Sequence, residues 1–262
     1  MSTQASFPNL LQRLHRGAVG WLQSWWRLTQ FAVLMLSVAL APSSYGRERR
    51  PLLARHLVAD TAPSLAWYGV LSALVSLVLI RIVVVTSQSY GLTRYALEMV
   101  VRVLVLELIP LTAAAFVALR TALPAGLEFA QGRSTGQHVT EAELHREFFP
   151  RVAAGIFAVW LLAAVSCVLT LILTYLSLYG FTPWALAGYT RVVGQVFNPA
   201  VTMILVLKIV FFSFAVGLIP MASSFYFGES YRNKVSHGLS DMVRLFAVML
   251  LIEVASLMGN YY

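Results

Sequence analysis

Along most of the chain, apolar positions do not alternate with polar ones; they fill whole helix circumferences. Five stretches keep this up for the ~20 residues that a helix needs to cross a bilayer: near 64–90, 92–120, 152–180, 198–227 and 238–260. The apolar run over 31–42 is shorter, and Leu22, Trp25, Trp26 and Leu28 precede it with arginines interspersed. Trp, Leu and Arg on one helix suit a segment lying in the headgroup plane; a sixth, short span is the alternative. The expected fold is all-α, a polytopic integral membrane protein with an N-terminal interfacial helix and five transmembrane helices. Residues 1–63 form the cytoplasmic and interfacial region and residues 64–262 the membrane domain.

Within the second stretch, Ala114, Ala118, Ala122 and Gly126 recur every four residues. Small residues on one face let helix backbones approach closely in lipid; alanine as lipid-facing filler is the competing reading. Pro110 and Pro124 bracket this stretch and are expected to bend it. Gly180, Pro183 and Gly188 interrupt the chain after the third stretch, as an external turn requires.

Arginine placement sets the orientation. Arg13, Arg16, Arg27, Arg47, Arg49, Arg50 and Arg55 precede the first span. Arg120, Arg133, Arg146 and Arg151 fall in the 120–151 loop, and Arg232 and Lys234 precede the last span. The other side has Arg94 and Arg191. Basic residues collect on the cytoplasmic side of spans, so the N-terminus is expected in the cytoplasm and the C-terminus outside. The 120–151 loop, with Glu128, Glu141, Glu143 and Glu147, is then the natural surface for a soluble partner, or else a solvated connector.

Composition supports the membrane assignment. The 262-residue chain is 59% hydrophobic and 11% charged, with mean hydropathy +0.75; soluble domains carry about 25% charged residues. The net charge of +8 is explained by cytoplasmic arginines, so no nucleic-acid partner is expected. The single cysteine, Cys167, lies in an apolar run, which excludes a disulfide framework. The N-terminal segment lacks the basic-then-apolar start of a cleavable signal.

Four ionisable residues interrupt the spans: Arg81, Glu107, Lys208 and Glu253. Counting from the cytoplasmic ends at ~1.5 Å per residue, they lie ~26, ~20, ~28 and ~22 Å deep. They share one broad layer, two cations with two anions. A charge at the bilayer centre costs ~3 kcal/mol or more, so Glu107 needs an answering cation, and Lys208 and Arg81 both qualify. Buried pairs that only fix helix packing would explain the layer; so would a transport path, the usual role of intramembrane ionisable groups. Glu98 and Arg102, four apart near the outer end, form a local helix pair.

Soluble-type chemistry finds no support. The stretch from Gly126 to Ser134 has one residue too many between its glycines, and arginine where a phosphate-binding loop uses lysine. His138 and His145 stand without a metal-ligand cluster. No Gly-x-Ser-x-Gly motif or Cys/His pair marks a nucleophile. No catalytic residue, cofactor or metal is expected.

The ordered set of short motifs resembles the MlaE (YrbE-type) permeases, membrane subunits of ABC systems that move phospholipid between bacterial membranes. Leu53-Ala54-Arg55-His56-Leu57 is similar to the segment before that family's first span, and Tyr90, Leu92, Arg94 and Tyr95 to the turn after it. Glu107-Leu108-Ile109-Pro110 resembles Glu-Leu-Gly-Pro, and Pro150-Arg151 resembles the family's entry into its third span. Arg120 and Glu128 fall where its Ala-Gly-Arg and Ala-Glu-Leu-Gly residues would, and Lys208 and Glu253 match a family lysine and aspartate. The resemblance implies a homodimeric permease in the bacterial inner membrane and a lipid-accessible cavity between the copies. It implies as partners a separate cytoplasmic ATPase and a single-span MCE-type lipid-binding protein, with phospholipid as cargo.

Carried over by position, Glu107 and Lys208 are candidates for lining that cavity, with Arg81 and Glu253 beside them in the polar layer; Arg120, Glu128, Glu141 and Glu143 are candidates for ATPase coupling. The chain also departs from the family. Ile109 and Leu119 replace glycines, the segment between Glu128 and Pro150 is shorter, and the coupling helix is reduced to the stretch from Val139 to Leu144. That erosion leaves open a scaffold subunit that no longer transports. An ion-coupled secondary transporter would show internal repeats or interrupted helices, and no convincing repeat is present.

Overall fold

The computed structural model describes residues 7–41, 50–132, 143–226 and 234–261. Among them the chain is helical almost throughout, with no strand. Helix α1 is Phe7–Leu40, α2 is Arg50–Ser89 and α3 is the continuous helical run over residues 93–132. Helix α4 is Phe149–Tyr179, α5 the short Leu186–Val196, α6 Pro199–Tyr226 and α7 Lys234–Tyr261.

Five segments are long and apolar enough to span a membrane: Thr61–Ser89, Tyr95–Glu128, Phe149–Tyr179, Pro199–Tyr226 and Gly238–Asn260. They fall on the five expected stretches, and α1 stands apart as the N-terminal helix. The boundary placed at 63/64 falls inside α2, which continues through Pro63.

The second span runs further than the sequence indicates. Its helix continues to Gly132, and helical structure resumes by Leu144. Arg120 and Glu128 therefore lie on a helix wall, not in a 120–151 loop. Glu141, His138 and most of the reduced coupling helix lie outside the described residues.

Proline explains how α3 continues. Pro110, Pro124 and Pro150 each stand two residues beyond a π-helical stretch: Val101–Leu108, Ala118–Ala122 and Leu144–Phe148. A proline ring collides with the carbonyl four residues back and offers it no N–H. Bonding five residues back widens the helix just before the proline, so the chain bends without breaking.

Helix α6 is the hub, touching α1, α3, α4 and α7, while α4 packs along the length of α2. In lipid, helices associate through close packing and interhelical hydrogen bonds, and both are present. Ala114, Ala118, Ala122 and Gly126 are all buried, so this stripe packs against protein and is not lipid-facing filler. At Gly126 an added Cβ would come 2.9 Å from the Pro220 carbonyl oxygen; at Gly155 it would reach the Gly217 Cα at 3.6 Å. On α2 the buried face is polar: Thr61, Ser64, Tyr68, Ser72 and Ser76. Ser76 meets Thr170 of α4 at 2.9 Å, and Tyr68 meets Thr112 of α3 at 2.9 Å.

Helix α1 docks through Phe31, Met35 and Val38 against Phe148, Phe149 and Leu218. The Arg244 guanidinium of α7 donates to the Ser24 hydroxyl. At the opposite end α5 is held by Tyr189, whose hydroxyl donates to the Leu171 carbonyl at 2.8 Å. Burial, with the Tyr179 phenol adding, pushes its pKa to about 12, so the donor persists at neutral pH.

The Gly126 contact gives a direct test. Gly126→Ala must push α3 away from the α6 backbone and should cost about 1–3 kcal/mol, the usual cost of overpacking. Gly69→Ala has nothing within 4 Å of the new Cβ and should leave stability unchanged or slightly raised. Thermal unfolding in detergent compares the two; equal melting temperatures would show that the close approach carries no weight.

Candidate functional site

The Lys208 side chain is 1% exposed, deep among apolar helices. Three elements answer its ammonium. Nζ donates to Glu107 Oε2 from α3 and to the Leu106 carbonyl at 3.2 Å. Glu253 of α7 brings Oε2 within 2.8 Å of Nζ as an ion pair. The Phe212 ring, one turn along α6, lies 5.9 Å from Nζ.

Pro110 prepares this site. It has no N–H for the carbonyls of Val105 and Leu106, five and four residues back. Both take side-chain donors instead: Lys208 Nζ at Leu106, and Cys167 Sγ at Val105 at 3.7 Å. A missing backbone donor thus becomes part of the lysine's coordination. Glu107 itself lies in the widened Val101–Leu108 turn.

Asn260 completes the cluster. Its Nδ2 donates to Glu107 Oε1 at 2.9 Å, so each oxygen of that carboxylate has its own donor. The sequence reading missed Asn260. The signal was its spacing, seven residues beyond Glu253, which returns two turns later to the same helix face.

Arg81 does not join. It is exposed, and no ion pair among the described residues includes it. The buried face of α2 passes here through Ile80, and one residue further turns the side chain about 100° away. The neutral four-charge layer expected from depth is therefore corrected: one cation faces two carboxylates, and Arg81 points out of the bundle. Glu98 and Arg102 form the local pair expected, at 3.0 Å.

The cluster is off centre. Lys208 is ~13 Å from the start of α6, and Glu253 ~10 Å from Asn260, at 1.5 Å per residue. Both distances are measured from the end of the bundle that carries α5. Lys208 also lines a cavity of about 530 Å³ between α1, α6 and α7, which extends along α6 from Ile204 to Ile219. Its wall is apolar apart from Lys208, Ser256 and the Trp25 indole, and the Ser256 hydroxyl has no hydrogen-bond partner among the described residues. Glu107 is not part of that wall; it holds the lysine from behind.

The residues expected at the ATPase contact separate. Arg120 and Glu128 line a second cavity, of about 350 Å³, at the other end of the bundle, together with Arg151. Arg151 Nη1 is 3.8 Å from Glu128 Oε2. Glu143 is exposed at the start of the helical run into α4.

A helical bundle with five spans and a charged cluster buried among them defines an integral membrane protein whose polar groups serve its own interior. The family model described as Permease MlaE matches residues 53–258, and the chain belongs to that family. It is an ABC-type permease of the membrane. No curated protein matches the chain.

The cluster's geometry ranks its members. Lys208→Met leaves two carboxylates buried without their cation and should cost about 3–5 kcal/mol, as breaking a buried ion pair does. Asn260→Ala removes one hydrogen bond to a charged group and should cost about 1.5–3 kcal/mol. Arg81→Gln, outside the cluster, should fall within about 0.5 kcal/mol of the parent. Unfolding of the three variants in detergent gives the order, and an Arg81 variant as damaged as the lysine variant would refute it.

Proposed function

We propose that the chain is the permease subunit of an ABC system that moves phospholipid between bacterial membranes. Two copies work with a separate cytoplasmic ATPase and a single-span MCE-type lipid-binding protein. The N-terminus lies in the cytoplasm and the C-terminus in the periplasm. Positive residues at the end carrying Arg120 and Arg151 support that orientation. The exposed faces of α2 and α7, the two least buried spans, support a second copy as neighbour.

One observation carries the lipid reading: Lys208 stands in the wall of a large apolar cavity inside the membrane layer. Apolar walls beside a buried polar cluster fit a molecule with a polar headgroup at one end and acyl chains at the other. Glu107, Glu253 and Asn260 hold the lysine in place without filling the cavity. ATP hydrolysis in the partner would alternately open and close the path. Coupling falls on the connection between α3 and α4, where Glu143 is exposed.

The charge count favours a second reading. One ammonium facing two carboxylates leaves a formal negative charge, which a proton would neutralise, and an ion-coupled transporter would use that proton.

Reconstituted lipid transfer tests both. With the ATPase and lipid-binding partners present, Glu107→Gln and Lys208→Met should each reduce ATP-dependent transfer of labelled phospholipid at least tenfold, with the complex still assembled. Normal transfer by both variants would make the cluster structural and remove its role in transport. Transfer driven by a proton gradient without ATP would favour the ion-coupled transporter.

A further inference from the structure

The cavity at the basic end of the bundle has a chemistry that the lipid path does not use. Arg120 and Arg151 contribute two basic residues to its lining, and Glu128 contributes one carboxylate, so these three sum to a formal charge of +1. The lining between them is nearly bare of side chains: Ala154, Gly155 and Ala158 from α4, and Gly217 from α6. About 350 Å³ stays open, within the range of roughly 300–1,000 Å³ for ligand pockets. Glu128 neutralises its neighbour only loosely, with its side chain 73% exposed and 3.8 Å from the guanidinium.

The position specifies the ligand further. Glu128 ends one span, Arg151 lies at the start of the next and Met221 near the end of a third. The cavity therefore opens at the ends of the spans and reaches inward about 12 Å, to Arg120. Basic pockets between transmembrane helices on the cytoplasmic side take anionic lipid headgroups. A phosphodiester carries one negative charge, which balances the excess, and its oxygens match guanidinium donors. Arg120 also lies in the π-helical turn before Pro124, a backbone irregularity often found at functional sites.

We infer that Arg120 and Arg151 bind the phosphate of an anionic phospholipid in the adjacent leaflet, with Glu128 as the counter-charge that the phosphate displaces. The site shares no lining residue with the Lys208 cavity. Only the naming of that leaflet as cytoplasmic rests on the orientation proposed above.

Native mass spectrometry of the full chain, delipidated in detergent and then given phosphatidylglycerol or phosphatidylcholine, tests the site without ATPase or transport. A failure of lipid transfer therefore stays distinguishable from a failure here. Phosphatidylglycerol should be retained in preference to phosphatidylcholine. Arg120→Gln should weaken that retention about fivefold, the effect of one basic residue at an anionic surface. Glu128→Gln, which removes the competing carboxylate, should strengthen it. Arg120 is exposed and stacks on Phe116 of its own helix, so its variant keeps the fold; an unchanged melting temperature verifies this. Retention unaffected by either variant would overturn the inference. Displacement by millimolar inorganic phosphate would overturn the lipid as its source. Loss of the ATPase from the Arg120→Gln complex with lipid retention unchanged would reassign the residue to a protein contact.

Discussion

An ammonium group removed from water must be given back every donor contact it loses, and Lys208 is the group around which this bundle is arranged. Its three answers come from two other helices. Glu107 and the Leu106 carbonyl belong to α3, and Glu253 belongs to α7. Those contacts tie α3, α6 and α7 together at one depth. Removing the lysine would strand two carboxylates, whereas removing either carboxylate leaves the lysine the other one and the Leu106 carbonyl. This asymmetry makes the cation the group on which the cluster depends. It also explains why α6 is the hub, since its neighbours must converge where the lysine is.

Much of this was legible before any coordinates. The five spans follow from runs of apolar residues, and Glu107, Lys208 and Glu253 stand out as charges within them. Depth along the helix brought Arg81 into the same layer, but depth says nothing about which way a side chain points. That needs the helix phase, and α2 does encode it. Thr61, Ser64, Tyr68, Ser72 and Ser76 mark one polar face, and in lipid a polar face turns toward protein. Ile80 continues that face and Arg81 leaves it. The rule learned from water-soluble helices, polar out and apolar in, runs the other way here, and apolarity alone could not decide it. The alanine stripe posed the same question, and only close packing against α6 answers it.

The far end of the site was hidden for another reason. Asn260 is a neutral residue near the end of the chain and signals nothing in hydropathy. Its role depends on the last two turns of α7 remaining helical, so that its carboxamide returns to the face of Glu253 and reaches Glu107. The Leu106 carbonyl was equally invisible, because backbone groups within a helix are taken to be satisfied. Only a proline four residues later makes that carbonyl available.

That last point connects the two ends of α3. Each proline in this helix removes an N–H, and each is preceded by a widened turn. One widened turn contains Glu107 and the other contains Arg120. An uninterrupted α-helix keeps its carbonyls bonded inward, so neighbouring groups meet only side chains. A π-turn before a proline lets a carbonyl leave the ladder and shifts the phase of the side chains that follow. At Leu106 the consequence is visible, because the freed carbonyl becomes a ligand of the lysine. Pro124 imposes the same deficit beside Arg120, where the chain faces the second cavity. The prolines of α3 thus do more than bend it; they place backbone irregularity at two depths where this helix presents charge.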